Sequence, residues 1–281
     1  FAGLLLALLS SGAFLFTWLL FPALLRPLVA LLAVALFSSL VSLRSAYRLN
    51  FAQKSWPSYL RMFAGWKTLS AARRTTLGIL AVLGLIYFLA FVPVNLLNTE
   101  SAHVFHYNSG DEGIIYPILM EMFVPEETLT AQLYRAFIYE DYHYGYPFYV
   151  LSALAVLPVR LLGGVDFAQQ IRINMLLLRQ FISVLPMILS ALLLVYMLTR
   201  LKSRFYSIAL FVFLLFIPGV VKYNVLFWHP DSLAILFVVL TLYFLQRDDF
   251  RFGHHWMLAA IACGLASSTR LLGFFCGLAV A

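Results

Sequence analysis

Apolar runs of about membrane-spanning length fill most of this 281-residue sequence. The runs cover residues 1–20, 22–43, 75–97, 146–163, 174–199, 205–226, 231–246 and 256–281. An α-helix needs about 20 apolar residues to cross the hydrocarbon core, and a single strand cannot cross because its backbone groups would lack hydrogen bonds. With 63% hydrophobic and 11% charged residues, the composition excludes a soluble globular domain. The sequence therefore predicts an all-α, polytopic transmembrane helical bundle.

The two ends of the sequence and its two cysteines limit what can be inferred about the extent of the protein and about metal binding. Phe1 opens the first apolar run and Ala281 lies inside the last, so we expect the chain to be part of a longer protein with further helices. Cys263 and Cys276 lie in apolar segments without the spacing of a metal site. We expect both to be ordinary buried or lipid-facing residues.

The basic residues indicate an orientation in the bilayer rather than a nucleic-acid surface. Most of the Lys and Arg that give the net charge of +7 lie in short loops between apolar runs. Residues 44–74 contain seven of them and no acid, whereas residues 98–145 contain Arg135 alone. Because cytoplasmic loops collect Lys and Arg, the sequence predicts that residues 44–74 are cytoplasmic and residues 98–145 external. The adjacent acids Asp111 and Glu112 then lie outside the cytoplasm.

The orientation of residues 146–163 decides the sides of all later loops. Pro147, Pro158 and Arg160 leave an apolar core that we expect to be shorter than about 17 residues, the lower end for a spanning helix. If the segment lies along the outer interface instead of crossing, the basic residues 200–204 become cytoplasmic, as the charge rule requires. Asp231 is then on the same side as Asp111. We therefore expect juxtamembrane helices in the first external loop.

Five stretches in a fixed order carry a family resemblance. They are "SGDEGIIYP" from Ser109, "YGYPFYVLSALAVLPVRLLGG" from Tyr144, "RQFISVLPMILSALLLVYMLTRL" from Arg179, "FWHPDSLAILFVVLTLYFLQR" from Phe227 and "GLASSTRLLGFF" from Gly264. Residues 75–281 thus resemble the C-type superfamily of integral-membrane glycosyltransferases, in particular the protein O-mannosyltransferase and aminoarabinose-transferase branch. Residues 1–74, an N-terminal helical hairpin plus basic cytoplasmic loop, fall outside that pattern. The Tyr-Gly-Tyr-Pro approach to the second stretch also departs from the family, which usually has a more polar approach there.

The resemblance implies an inverting transfer of a sugar from a polyprenyl-phosphate carrier to an acceptor on the non-cytoplasmic face. Such a reaction needs a carboxylate that removes the acceptor proton and cations or a metal that hold the departing phosphate. By position, the resemblance gives Asp111 the catalytic role with Glu112 as its companion. It gives supporting or phosphate-binding roles to four residues: Asp231, His229, Arg179 and Arg270.

The same residues have plainer interpretations. Asp111 and Glu112 fit a solvated surface loop, and Arg179, about a turn and a half inside its helix, fits a side chain that snorkels to the interface. Pro230 and Asp231 fit a helix start, since Pro suits the first turn and Asp complements the helix dipole. Arg270 lies within the last apolar run, where an ionisable group more often marks a site.

A metal site is a further hypothesis. His103 and His106, three positions apart just before the acids, are candidate ligands for zinc or manganese. They lack a closed ligand pattern, and nothing in the sequence requires a metal or any other cofactor.

Three classes of function follow from these observations. The first is the glycosyltransferase, an integral membrane protein of the bacterial inner membrane or an equivalent membrane. Its partners are the lipid-linked sugar, membrane lipids and an acceptor protein, lipid or glycan, and we expect no nucleic acid. The second is a non-catalytic membrane subunit that keeps this scaffold within a larger complex. A transporter is third, because the sequence has neither an intramembrane acid pair nor an inverted repeat.

Overall fold

The computed structural model describes residues 70–100, 110–137, 144–163, 168–248 and 253–270, and these residues form helices without a strand. The helices are α1 (Ala71–Ala90), α2 (Val92–Asn95), α3 (Gly110–Glu121), α4 (Leu129–Phe137), α5 (Tyr146–Gly163), α6 (Ile171–Leu178), α7 (Leu185–Thr199), α8 (Arg204–Leu215), α9 (Pro218–Val220), α10 (Pro230–Asp248) and α11 (His254–Thr269). Two π-helical segments, π1 (Arg179–Val184) and π2 (Val221–Val225), join α6 to α7 and continue α9. The predicted N-terminal hairpin and most of its basic loop lie outside the described residues.

Four helical stretches of the described chain are long and apolar enough to cross a membrane. They are Ala71–Asn95, Tyr146–Gly163, Ile171–Thr199 and Pro230–Asp248, and α8 is a shorter apolar helix. The expectation that Pro147, Pro158 and Arg160 leave a segment too short to cross is wrong, because α5 runs through Pro158 for 18 residues and is apolar enough for a crossing. Pro147 falls in the first turn, where a missing N–H costs nothing. Length alone therefore permits α5 to cross.

The stretch Ile171–Thr199 is one continuous helical rod built from α6, π1 and α7. Its 29 residues span about 43 Å at 1.5 Å per residue, against about 30 Å for a hydrocarbon core. It starts three residues earlier than the sequence predicts. The rod is therefore longer than a single perpendicular crossing of the hydrocarbon core requires.

Two ends of the bundle can be defined from the α10 and α11 hairpin, whose helices lie side by side. We call the end where α10 begins and α11 stops the site end, and the opposite end the far end. At the far end Asp248 accepts hydrogen bonds from the backbone N–H of Gly253 and Trp256, at 3.0 and 3.1 Å, and so caps the start of α11. Tyr196 of α7 packs against Tyr243 of α10, with ring centroids 6.1 Å apart. The rod therefore also ends at the far end.

Two apolar clusters hold these helices together. One joins α1, π1, α7 and α8, with Leu80, Val195 and Phe211 among its fully buried members. Gly84 lets α1 approach this cluster closely, because a Cβ there would lie 2.9 Å from Cγ2 of Ile188. The other cluster joins α3, α5, α6 and the first turn of α10, and it includes Phe148. It lies beside the residues of the site end.

Residues that flank α5 on both sides contact the site-end side of the bundle. At its start the N–H of Gly145 donates to the carbonyl of Thr269, which closes α11. After its end, the carbonyl of Ala168 accepts from the hydroxyl of Tyr116 at 2.8 Å, and Tyr116 lies one turn beyond Glu112 on α3. These contacts place α5 across the site end of the bundle.

Candidate active site

Two acids and an arginine meet at the site end because of how α10 and α11 are built. Pro230 opens α10 and Asp231 lies in its first turn, as the sequence predicts. With 19 and 16 residues, the two helices are about 28 and 24 Å long, so an antiparallel pair returns the chain to its starting level. Arg270 follows α11 directly. Nε of Arg270 lies 3.0 Å from Oδ1 of Asp231.

The sequence places Arg270 within an apolar run of membrane-spanning length. In the structure Arg270 instead follows the end of α11. The apolar segment 256–281 is interrupted, because α11 ends at Thr269 and Arg270 has an extended backbone with φ −148° and ψ 135°. Ser267, Ser268 and Thr269 turn their hydroxyls back onto carbonyls of the preceding turn, which satisfies polar groups that hydrocarbon would leave unpaired. The guanidinium therefore emerges at the helix end.

His229 is the centre of the site. Its Nδ1 lies 3.2 Å from Oδ2 of Asp231, within hydrogen-bonding distance. Its Nε2 lies 3.1 Å from the hydroxyl of Tyr144 and 3.3 Å from NH1 of Arg270. Oδ2 of Asp111, in the first turn of α3, lies 3.8 Å from the same Nε2. Four charged or polar side chains from four parts of the chain thus face one imidazole.

Asp111 is the exposed member of this group. Its side chain keeps 67% of its surface accessible, against 36% for Asp231 and 14% for His229. The carboxylate is therefore the group that an incoming molecule can reach first, while the imidazole lies behind it.

Tyr144 closes the site from the side of α5. Its ring packs edge-on against His229, and the Arg270 guanidinium carbon lies 5.6 Å from the centre of the same ring. Burial first, and then the nearby negative charge of Asp111, raises the pKa of Tyr144 above its usual value. The phenol accordingly stays protonated at neutral pH and can donate a hydrogen bond.

Glu112 differs from its neighbour Asp111. It is 1% exposed, and its two oxygens accept from Nε and NH2 of Arg179 at 3.0 and 2.7 Å. One of them also accepts from the backbone N–H of Trp228 at 2.6 Å. The interpretation of the two acids as solvated loop residues is wrong in two respects. Glu112 is buried, and both acids lie in the first turn of a helix and not in a loop. Successive helical residues point about 100° apart, so one acid faces outward and the other inward.

Arg179 is enclosed by protein rather than presented to lipid. It is 4% exposed, and its NH1 donates to the carbonyls of Asn95 and Leu97 at 3.0 and 3.1 Å. Four of its five N–H donors are therefore used within the protein. The interpretation as a snorkelling side chain is wrong, and the predicted contact with a lipid phosphate would have to displace these partners.

Trp228 connects the buried pair to the His229 cluster. Its indole N–H donates to Oγ of Ser152 on α5 at 3.0 Å, and its ring stacks on Phe148 with centroids 5.2 Å apart. Glu112 thus holds the backbone of Trp228, while Ser152 and Phe148 hold its side chain, and Trp228 is the residue that precedes His229 in the chain. We infer that this anchoring sets the direction of the imidazole.

The structure brings four predicted site residues together and places two beside them. Asp111, His229, Asp231 and Arg270 form the cluster, while Glu112 and Arg179 form the buried pair next to it. His103 and His106 lie outside the described residues. Within the described ranges, no group of three or more His, Cys, Asp or Glu side chains could hold a metal ion.

Sequence reasoning did not single out Tyr144 and Trp228 as site residues. Tyr144 lies in a stretch of many tyrosines, any of which suits a membrane interface. Trp228 is next to His229 in the sequence, and that adjacency was the one signal that could have drawn attention to it.

Comparisons with protein-family models, with curated proteins and with solved structures find no match for this chain.

Proposed function

We propose that this chain is a membrane glycosyltransferase that moves a sugar from a polyprenyl-phosphate carrier to an acceptor hydroxyl, with inversion at the anomeric carbon. One observation carries the proposal. At one end of a bundle of apolar helices, two carboxylates and a guanidinium converge on His229, with Asp111 the most exposed of the two acids. This transfer needs a base that removes the acceptor proton and a cation that stabilises the departing phosphate, and Asp111 and Arg270 can supply the two.

The chemistry assigns a task to each side of the cluster. Asp111 removes the proton of the acceptor hydroxyl while its oxygen attacks the anomeric carbon from the face opposite the phosphate. The bond from carbon to phosphate oxygen breaks, and the phosphate leaves with the electron pair. Arg270, with 31% of its side chain exposed, neutralises the charge on that phosphate. Asp231 holds both Arg270 and His229 in place.

We further propose that the site end faces away from the cytoplasm. Arg200, Lys202 and Arg204 follow α7 at the far end, and Arg247 lies in the last turn of α10 at the same end. Lys and Arg collect in cytoplasmic loops, which favours this orientation. The membrane is a bacterial inner membrane or its equivalent.

In this orientation α5 lies along the outer interface and does not cross. The contacts of Gly145, which precedes α5, and of Ala168, five residues after its end, support this because a crossing helix would have one end at the far end of the bundle. The helix then forms part of the wall beside a lipid-linked donor, whose phosphate lies at the same depth as the interface.

The test is transfer by the purified protein in lipid nanodiscs supplied with a polyprenyl-phosphate sugar and a hydroxyl acceptor. We expect Asp111→Asn to lower kcat by about 10²–10⁴-fold, because it removes a general base without changing its size. Glu127→Gln is the matched control: an exposed acid of the same external segment, which should keep wild-type activity.

Two results would contradict the proposal. Asp111→Asn could transfer as fast as the control, or the wild-type protein could transfer nothing from any lipid-linked sugar and co-purify with a partner at fixed stoichiometry. The second result would instead support the non-catalytic subunit.

A further inference from the structure

The groups around His229 determine which ring nitrogen carries its proton. Arg270 can only donate hydrogen bonds, and the protonated phenol of Tyr144 has its O–H available; both face Nε2. The ionised carboxylate of Asp231 can only accept, and it faces Nδ1. The neutral ring satisfies all three partners only if Nδ1 carries the hydrogen and Nε2 carries the lone pair. Asp231 therefore acts on His229 as the orienting acid of a His–Asp pair.

We propose that His229 is a proton relay between Asp111 and the departing phosphate, so that the transfer conserves its proton within the site. This inference rests on the proposed function. Nε2 is the atom of His229 that lies 3.8 Å from Oδ2 of Asp111, and it is also the atom next to Arg270, the proposed phosphate ligand. The imidazole is thus located between the place where a proton is released and the place where one is needed.

The proton balance of the reaction favours such a relay. The acceptor hydroxyl loses its proton to the Asp111 carboxylate as the new bond from oxygen to the anomeric carbon forms. The donor is a phosphodiester with one negative charge, and the departing polyprenyl phosphate is a monoester whose second ionisation lies near pH 6. Nε2 of His229 takes the proton from Asp111 and passes it to this phosphate. The enzyme returns to its starting protonation state.

Arg270 couples donor binding to the relay. In the structure its NH1 group donates to Nε2, which makes the ring nitrogen a poorer proton acceptor. A bound phosphate attracts the guanidinium more strongly than a neutral imidazole does, because both partners are then charged. Movement of Arg270 towards phosphate removes one of the two hydrogen-bond donors from Nε2 and leaves Tyr144, so the ring becomes a better base when the sugar donor is bound.

The groups facing the imidazole come from every described element packed around it. Asp111 belongs to α3, Tyr144 precedes α5, Asp231 lies in α10 and Arg270 follows α11. The ring therefore faces two carboxylates, a guanidinium and a phenol.

The pH dependence of kcat tests the relay. The wild-type rate should fall as the pH drops through the range in which imidazole is protonated, about pH 5–8, because an imidazolium cannot accept a proton. His229→Gln should lower kcat by about 10²-fold at pH 7 without a matching rise in KM, and should abolish this acidic fall.

A nitrogen-15 NMR spectrum of the histidine-labelled protein tests the tautomer without any turnover. The His229 signal, assigned as the one missing in His229→Gln, should show hydrogen on Nδ1. Asp231→Asn should lose that preference. His255→Gln, which changes a histidine at the far end, should leave both the spectrum of His229 and the pH profile unchanged.

The outcomes separate the relay from the proposed function. An active wild type whose His229→Gln variant keeps the acidic fall, or whose His229 carries its hydrogen on Nε2, overturns the relay alone. A wild type that transfers no sugar from a lipid-linked donor overturns the proposed function and the relay together.

Discussion

At the scale of single residues, the adjacent acids Asp111 and Glu112 have separate tasks because of the helix that contains them. One helical step turns Asp111 towards His229 and Glu112 towards Arg179. A buried ion pair of this kind contributes little net stability when intact, but breaking it is costly because the remaining charge keeps its desolvation cost. Glu112 and Arg179 should therefore respond to substitution as a unit.

A double-substitution experiment tests this pairing. Glu112→Gln and Arg179→Met should each lower the free energy of unfolding by about 3–5 kcal/mol, because each leaves one buried group without its partner. The double variant should lose clearly less than the sum of the two single losses. The measurement is the midpoint of thermal unfolding in detergent, and additive losses would contradict the pairing.

At the scale of helices, the contact between the start of α5 and the end of α11 determines where Tyr144 lies. A Cβ on Gly145 would lie 1.3 Å from the carbonyl oxygen of Ser268, so any side chain there must push two backbone segments apart. The phenol of Tyr144 is adjacent in the sequence and would move away from His229. The absence of a side chain at this position is thus a requirement of the site.

Gly145→Ala should lower both activity and the midpoint of thermal unfolding, since the clash is with backbone and not with a movable side chain. Gly264→Ala is the matched control on α11. No heavy atom lies within 4 Å of the Cβ it would add, and alanine favours a helix over glycine by about 1 kcal/mol. The control should be neutral or slightly stabilising. Equal effects of the two substitutions would show that the close approach is unimportant.

At the scale of the whole molecule, the position of α5 relative to the membrane determines the side on which every later loop lies. The length and composition of α5 permit a crossing, whereas the contacts of the residues that flank it favour the interface. An interfacial α5 places residue 162, where Leu162 is 90% exposed, on the same side as residue 127 and opposite the α7–α8 turn. A crossing α5 places residue 162 on the opposite side from residue 127 and brings the α7–α8 turn to the side of residue 127.

Cysteine labelling distinguishes the two topologies. In a background with Cys263 and Cys276 replaced by alanine, single cysteines are placed at Glu127, Leu162 and Lys202. A membrane-impermeant maleimide applied to right-side-out vesicles should label positions 127 and 162 but not 202, and inside-out vesicles should give the reverse. Labelling of 127 together with 202 in right-side-out vesicles, with 162 protected, would show that α5 crosses.

The sequence predicted most of the helices and part of the site, for physical reasons. Apolar runs predict helices directly, and the Trp-His-Pro-Asp order predicts that α10 starts at Pro230 with Asp231 in its first turn. The pairing of Glu112 with Arg179 could not be predicted, because it depends on which way α3 is rotated against the rod. The end of α11 at Thr269 was missed because apolar residues continue after Arg270, so composition alone shows no boundary there.

The hydrogen bond between Glu112 and the N–H of Trp228 has a consequence for biosynthesis, since it joins positions 116 residues apart in the sequence. The ribosome must therefore synthesise α3, α5 and the whole rod before the last partner of Glu112 exists. Asp231 and Arg270 arrive later still, with the α10–α11 hairpin. A nascent chain halted before Trp228 would already have Arg179 but no assembled site. Synthesis of α10 and α11 thus completes the His229 cluster, which cannot assemble before Arg270 has left the ribosome.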